Sequence, residues 1–126
     1  MLSYQTLIKY LRDQHDYPVS IKKYYCVIMV PGIDYHITIY EDQWDRYEEI
    51  SNKPYYLFHV SSNNENNRCS SYFWVNKYNH IIKKIPRNFF MYNQPKYSFF
   101  SSTRNPCHLR DISILLKTFQ RILNKI

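Results

Sequence analysis

The residues best suited to chemistry lie between positions 66 and 110, where eight Lys or Arg residues occur and no Asp or Glu. Residues 1–50 carry a net charge of −3 and residues 51–126 a net charge of +10. A surface of one sign repels itself unless an anion lies against it, and we expect that anion to be nucleic acid, whose phosphates Lys and Arg neutralise and whose unpaired bases stack on aromatic rings. The candidate phosphate-binding residues are Arg68, Lys77, Lys83, Lys84, Arg87, Lys96, Arg104 and Arg110, and the candidate stacking residues are Phe89, Phe90 and Tyr92.

The alternative interpretation, a solvated basic face over core aromatic residues, stays open. Catalysis has less support. Asp34 and His36 would share one face of a strand, as a base and its orienting group would, but a polar hairpin face is the commoner cause of that spacing. The chain contains no CxxC pair, no G-x-S-x-G and no HExxH motif. We therefore expect no enzyme, no cofactor, no metal and no small-molecule substrate.

The composition points to one domain, or one domain with an extension, and to an unusual origin. The chain has a single glycine and no alanine, a bias typical of AT-rich genomes such as those of organelles, some viruses and some parasites. Because glycine is scarce, we expect asparagine to take left-handed turn positions, first of all in residues 63–67. The three cysteines predict free thiols in a reducing compartment. No apolar run is long enough to span a membrane.

Hydrophobic periodicity predicts an α+β fold: an antiparallel sheet of about four or five strands with two or three helices, a protruding basic loop and a ferredoxin-like tendency. Residues 1–55 would form an acidic N-terminal extension or subdomain with a helix and a hairpin, and residues 56–126 the basic RNA-binding domain. Apolar spacing predicts helices over 3–13, 68–82 and 109–125 and a helical turn or two within 41–50. The predicted strands are 24–30, 33–40, 55–62 and 97–101, with turns at Pro31-Gly32 and at 103–108.

From residue 56 onward the order of features resembles the small-subunit ribosomal protein S-ten family, in its organellar, mitochondrial type. Residues 56–62 (YLFHVSS) correspond to the first strand of the family, and the stretch RCSSYFWVNKYNHIIKKI to its helix and the segment after that helix. Residues 97–102 (YSFFSS) are similar to the family strand "YTVLRS". Arg110-Asp111 matches the "RE" pair, and residues 117–123 (KTFQRIL) parallel "RTHKRLI", which is a strand in that family. The resemblance and the periodicity thus disagree about the C-terminal segment.

The resemblance implies a structural, rRNA-binding protein in the head of the small ribosomal subunit, with ribosomal RNA and neighbouring ribosomal proteins as partners and no membrane association. It also implies a mitochondrial matrix location and suggests an organelle-encoded chain. On this interpretation the basic loop and its flanks carry Lys83, Lys84, Arg87 and Lys96, and further phosphate contacts come from Arg104, Arg110, Lys117 and Arg121.

Two other functions remain open. One is a viral protein that binds nucleic acid or blocks a host protein, which would work in the host cytoplasm. The other is a small accessory subunit of a mitochondrial respiratory complex, because the opening LIKYLRDQHDYPVS is similar to a stretch of the thirty-kilodalton NADH dehydrogenase subunit.

Overall fold

The computed structural model describes residues 2–44, 56–64, 66, 68–82 and 109–126. These residues form an α+β fold, as predicted, with six strands in one antiparallel sheet instead of the four or five expected. Each strand pairs with the next one in the chain, so the described sheet is a meander without a ferredoxin-like crossover. The strands are β1 Val19–Ile21, β2 Tyr25–Met29, β3 Tyr35–Tyr40, β4 Tyr56–Ser62, β5 Ser70–Val75 and β6 Ile81–Ile82, and the helices are α1 Tyr4–Asp13, α2 Glu41–Trp44 and α3 Leu109–Lys125.

The described helices contribute to a single core on one face of this sheet, which we call the inner face. Inward side chains of successive strands, such as Ile37 and Phe58, join the buried residues of the helices in that core. The ring of Phe58 meets that of Phe119 of α3 edge-on at 4.8 Å between centroids, a favourable aromatic geometry. Ile37 of β3 pairs with Val60 of β4. The sheet therefore contains strands from both of the regions that sequence analysis separated, residues 1–55 and 56–126.

The N-terminal elements follow the sequence prediction except for β1, which was not predicted. Ser3 caps α1 by accepting a hydrogen bond from the Thr6 amide at 3.1 Å, and the apolar stripe of this helix is buried. The predicted hairpin turns at Gly32, whose φ of +81° lies in the left-handed region that glycine adopts without strain. Trp44, the last residue of α2, donates a hydrogen bond to the carbonyl of Leu2 at 2.9 Å, which ties the N-terminal segment to the short helix after β3.

Two segments decide between competing sequence interpretations. The helix predicted over residues 68–82 is wrong, because this segment forms β5, a tight turn and β6. Its side chains alternate: Phe73 lies in the main core, whereas Trp74 is buried with Leu57 in a small cluster on the outer face, the surface of the sheet away from that core. Residues 109–125 form a helix, as the periodicity predicted, and not the strand implied by the S-ten resemblance. The predicted strand 97–101, the turn 103–108 and the basic loop lie outside the described residues.

The cysteines differ from the expectation of three free thiols. Cys26 is free and fully buried, and burial raises its pKa to about 12. Cys69, in contrast, is disulfide-bonded. Within the described residues, no helix is long and apolar enough to cross a membrane, and no cluster of three or more His, Cys, Asp or Glu residues is placed to hold a metal.

Candidate nucleic-acid interface

The structure describes five of the ten candidate phosphate-binding residues, and all five are exposed: Arg68, Lys77, Arg110, Lys117 and Arg121. The other five, Lys83, Lys84, Arg87, Lys96 and Arg104, lie outside the described residues, as do the candidate stacking residues Phe89, Phe90 and Tyr92. The geometry of the site is therefore built from α3 and the segment around Lys77.

Three of the four bases of α3 are candidate phosphate-binding residues, and these three share one face of the helix. Arg110, Lys117 and Arg121 recur at intervals of seven and four residues, so they stand on the same side of a 3.6-residue turn. Ile114, which is 57% exposed, lies between them. The buried stripe of α3, which includes Leu115, Phe119 and Ile122, faces the core from the opposite side. The result is a row of cations about 16 Å long that points to solvent.

A rigid turn between β5 and β6 presents Lys77. The side-chain oxygen of Asn76 accepts hydrogen bonds from the amides of Tyr78 at 3.0 Å and His80 at 2.9 Å. Asn79 has a φ of 63°, so asparagine does occupy a left-handed position as the scarcity of glycine predicted, although it does so in this turn. Backbone hydrogen bonds of 2.9 Å between Asn76 and Asn79 and between Asn76 and His80 close the turn.

Gln120 of α3 holds this turn beside the helix. Its side-chain oxygen accepts a hydrogen bond from the amide of Ile81 at 2.9 Å, and its side-chain nitrogen donates to the carbonyl of Asn79 at 2.8 Å. Gln120 stands at the edge of the exposed face of α3, three residues after Lys117 and directly before Arg121. The turn and the helical bases therefore form one surface. We call it the turn–helix surface, formed by Lys77, Tyr78, Arg110, Lys117 and Arg121.

The turn–helix surface combines free cations with an aromatic ring. Tyr78 is 67% exposed, and the Lys77 ammonium nitrogen lies 5.0 Å from the centroid of its ring, within cation–π range. Among the described residues, no carboxylate oxygen lies within 4.0 Å of the charged nitrogens of Lys77, Lys117 or Arg121. Their positive charges are thus not neutralised by the described acidic residues and can meet an external anion.

Comparison with known proteins gives a relative but no described activity. No protein-family model and no solved structure matches the chain. The chain is 55% identical over 126 residues to "Uncharacterized protein R703" of Acanthamoeba polyphaga mimivirus, and the match covers all of this chain and 93% of that protein. The chain belongs to the family of this mimivirus protein.

Arg68 lies apart from the turn–helix surface. It precedes β5, whereas Lys77 follows this strand, so the six residues of β5 separate the two bases by about 20 Å. Both residues belong to the run of bases between positions 66 and 110, and the extended strand between them places them at opposite ends of β5.

The outer face carries polar and aromatic side chains that sequence analysis did not single out. His59 stacks on Tyr72, with 4.6 Å between ring centroids, and hydrogen-bonds to Ser70. His36, the possible catalytic partner of Asp34, instead has its Nδ1 2.6 Å from the side-chain oxygen of Asn63. These side chains pair across neighbouring strands, which is the ordinary way in which the exposed face of an antiparallel sheet is stabilised.

Proposed function

We propose that the protein binds nucleic acid by its phosphate backbone, through the turn–helix surface and the bases of residues 83–104. The observation that carries this proposal is the row of Arg110, Lys117 and Arg121 on α3, with Lys77 held beside it by Gln120. A cationic row of this kind releases counterions when it meets a polyphosphate, and counterion release supplies most of the affinity of sequence-independent binding.

Two sources of nucleic acid fit this chemistry, and the viral one is favoured. The relative comes from a virus, and its match with the chain extends over the whole chain. Ribosomal RNA in a mitochondrial small subunit, which the S-ten resemblance implies, stays a prediction. The strand β4 at residues 56–62 agrees with that resemblance, whereas the helix at residues 117–123 and the strands within 68–82 differ from the elements expected under it.

The test is the salt dependence of binding to single-stranded and duplex oligonucleotides. The four cations of the turn–helix surface would each neutralise one phosphate, so the slope of log affinity against log salt should be about −3 or steeper for a single strand. Bases outside the described residues would make it steeper. A flat response, or no binding at low salt, would contradict the proposal. Co-sedimentation with small ribosomal subunits would identify ribosomal RNA as the ligand.

A further inference from the structure

We propose that the turn–helix surface is built for single-stranded nucleic acid, and that Tyr78 is the residue that stacks on an unpaired base. This inference rests on the proposed function and adds to it the class of ligand. Its starting point is that the exposed ring of Tyr78 lies beside Lys77, on a turn that Gln120 joins to the helix that carries Arg110, Lys117 and Arg121.

Tyr78 offers a ring face that a duplex cannot use. At 67% exposure its ring is largely open to solvent. In a duplex each base is covered by its neighbours in the stack, so an exposed ring at the protein surface finds only the sugar–phosphate backbone. Unpaired bases have free faces and stack on aromatic side chains whatever their sequence. The ring therefore adds affinity for a single strand and little for a duplex.

The turn holds the backbone of this ring in place before any ligand binds. The amide of Tyr78 donates to the side chain of Asn76, and the left-handed Asn79 is anchored to α3 through Gln120. A contact residue on a fixed backbone loses less conformational entropy on binding than one on a mobile loop. The hydrogen bonds that order this turn therefore favour ligand binding as well as folding.

Lys77 and the bases of α3 supply the phosphate contacts beyond the Tyr78 ring. The Lys77 ammonium group is 5.0 Å from the centroid of the Tyr78 ring, close enough to meet the phosphate of a base that stacks there. Because Gln120 ties this turn to α3, the next cations along the surface are Lys117 and Arg121. A strand that stacks at Tyr78 thus finds its following phosphates opposite the helical row.

The chain contains a matched control for this ring. Tyr24, in the turn between β1 and β2, is 64% exposed, and the Lys23 ammonium nitrogen lies 5.2 Å from its ring centroid. This second pair stands about four strand spacings, or roughly 19 Å, from the β5–β6 turn. It has the same two residue types and nearly the same exposure, but the hydrogen bonds of Gln120 join the β5–β6 turn, and not this one, to α3. If any exposed Lys–Tyr pair were enough to bind a single strand, both rings would contribute equally to the affinity.

The experiment measures fluorescence anisotropy with oligothymidylate, oligouridylate and a duplex of equal length. We expect Tyr78→Ala to weaken binding of both single strands by about five-fold or more and to change duplex binding less than two-fold. Tyr78→Phe should bind like the wild type, and so should Tyr24→Ala. Since Tyr78 is exposed, the melting temperature of each variant should stay that of the wild type, which checks that the fold is intact.

The outcomes separate this inference from the proposed function. If the wild type binds no oligonucleotide, both fail. If it binds with a steep salt dependence while Tyr78→Ala binds like the wild type, or Tyr24→Ala loses as much, the stacking role of Tyr78 is overturned and phosphate binding stands. Tighter binding of the duplex than of either single strand would also overturn it.

Discussion

Replacement of the three candidate phosphate-binding bases of α3 by glutamine tests whether this helix contacts phosphates. In the variant Arg110→Gln, Lys117→Gln, Arg121→Gln, three cations on one exposed face disappear. Each phosphate contact contributes about 0.7 to the salt slope for a single strand, so the slope should become shallower by about 2. Over a four-fold rise in salt, the wild type should then lose about 18-fold more affinity than the variant.

The fold should survive this change. The three positions face solvent, opposite the buried stripe of α3, and glutamine has a helix propensity close to those of arginine and lysine. Circular dichroism and a melting curve check this point. The assay is anisotropy titration of a labelled single strand at several salt concentrations.

A second triple variant separates contact from net charge. Lys9→Gln, Arg12→Gln, Lys22→Gln removes the same number of exposed cations from the acidic half of the chain. If the α3 row binds phosphates, this control keeps the slope of the wild type. Equal slopes for the two variants would refute the assignment, because the protein would then respond only to its overall charge.

Three further predictions concern single side chains. Gln120→Ala removes both side-chain hydrogen bonds to the β5–β6 turn, so we expect the free energy of unfolding, measured with denaturant, to fall by about 1–2 kcal/mol. The affinity for a single strand should also fall, because the turn is no longer held against α3. The hydroxyl of Tyr4 is buried and has no hydrogen-bond partner among the described residues, so Tyr4→Phe should raise the free energy of unfolding by about 1 kcal/mol. Burial raises the pKa of Tyr4 from 10.0 to about 12, and that of Cys26 from 9.0 to about 12. Because the unfolded chain releases these protons first, stability should be constant below about pH 9 and fall towards pH 12; an unchanged stability over that range would contradict the burial of both groups.

The elements that sequence analysis predicted correctly have one buried face. In α3 the apolar residues repeat every three or four positions and the bases fill the other side, so the periodicity is unambiguous. The helix predicted over residues 68–82 was wrong, and in β5 Phe73 and Trp74, on opposite faces, are both buried. A strand that is apolar on both faces loses its alternation and cannot be distinguished by period from a helix.

The candidate site was visible in the sequence as a set of charges but not as a surface. The bases could be counted, whereas their grouping depends on Gln120, whose partners are 39 and 41 residues away in the chain. A glutamine at the edge of an amphipathic helix carries no signal of such a contact. Arg68 belongs to the same run of bases as Lys77 in the sequence, but the strand between them separates the two in the fold.

The division of charge between the two halves connects folding with binding. A net charge of +10 in residues 51–126 costs stability through self-repulsion, and the described bases of the turn–helix surface are not neutralised by described carboxylates. A fold selected for stability alone would distribute acids among these bases. Salt should consequently act in opposite directions on the two processes: screening relieves the repulsion in the free protein and favours the folded state, while it weakens the complex by reducing the gain from counterion release. A bound polyanion would relieve the same repulsion without salt, so the arrangement that is unfavourable in the free chain becomes favourable in the complex.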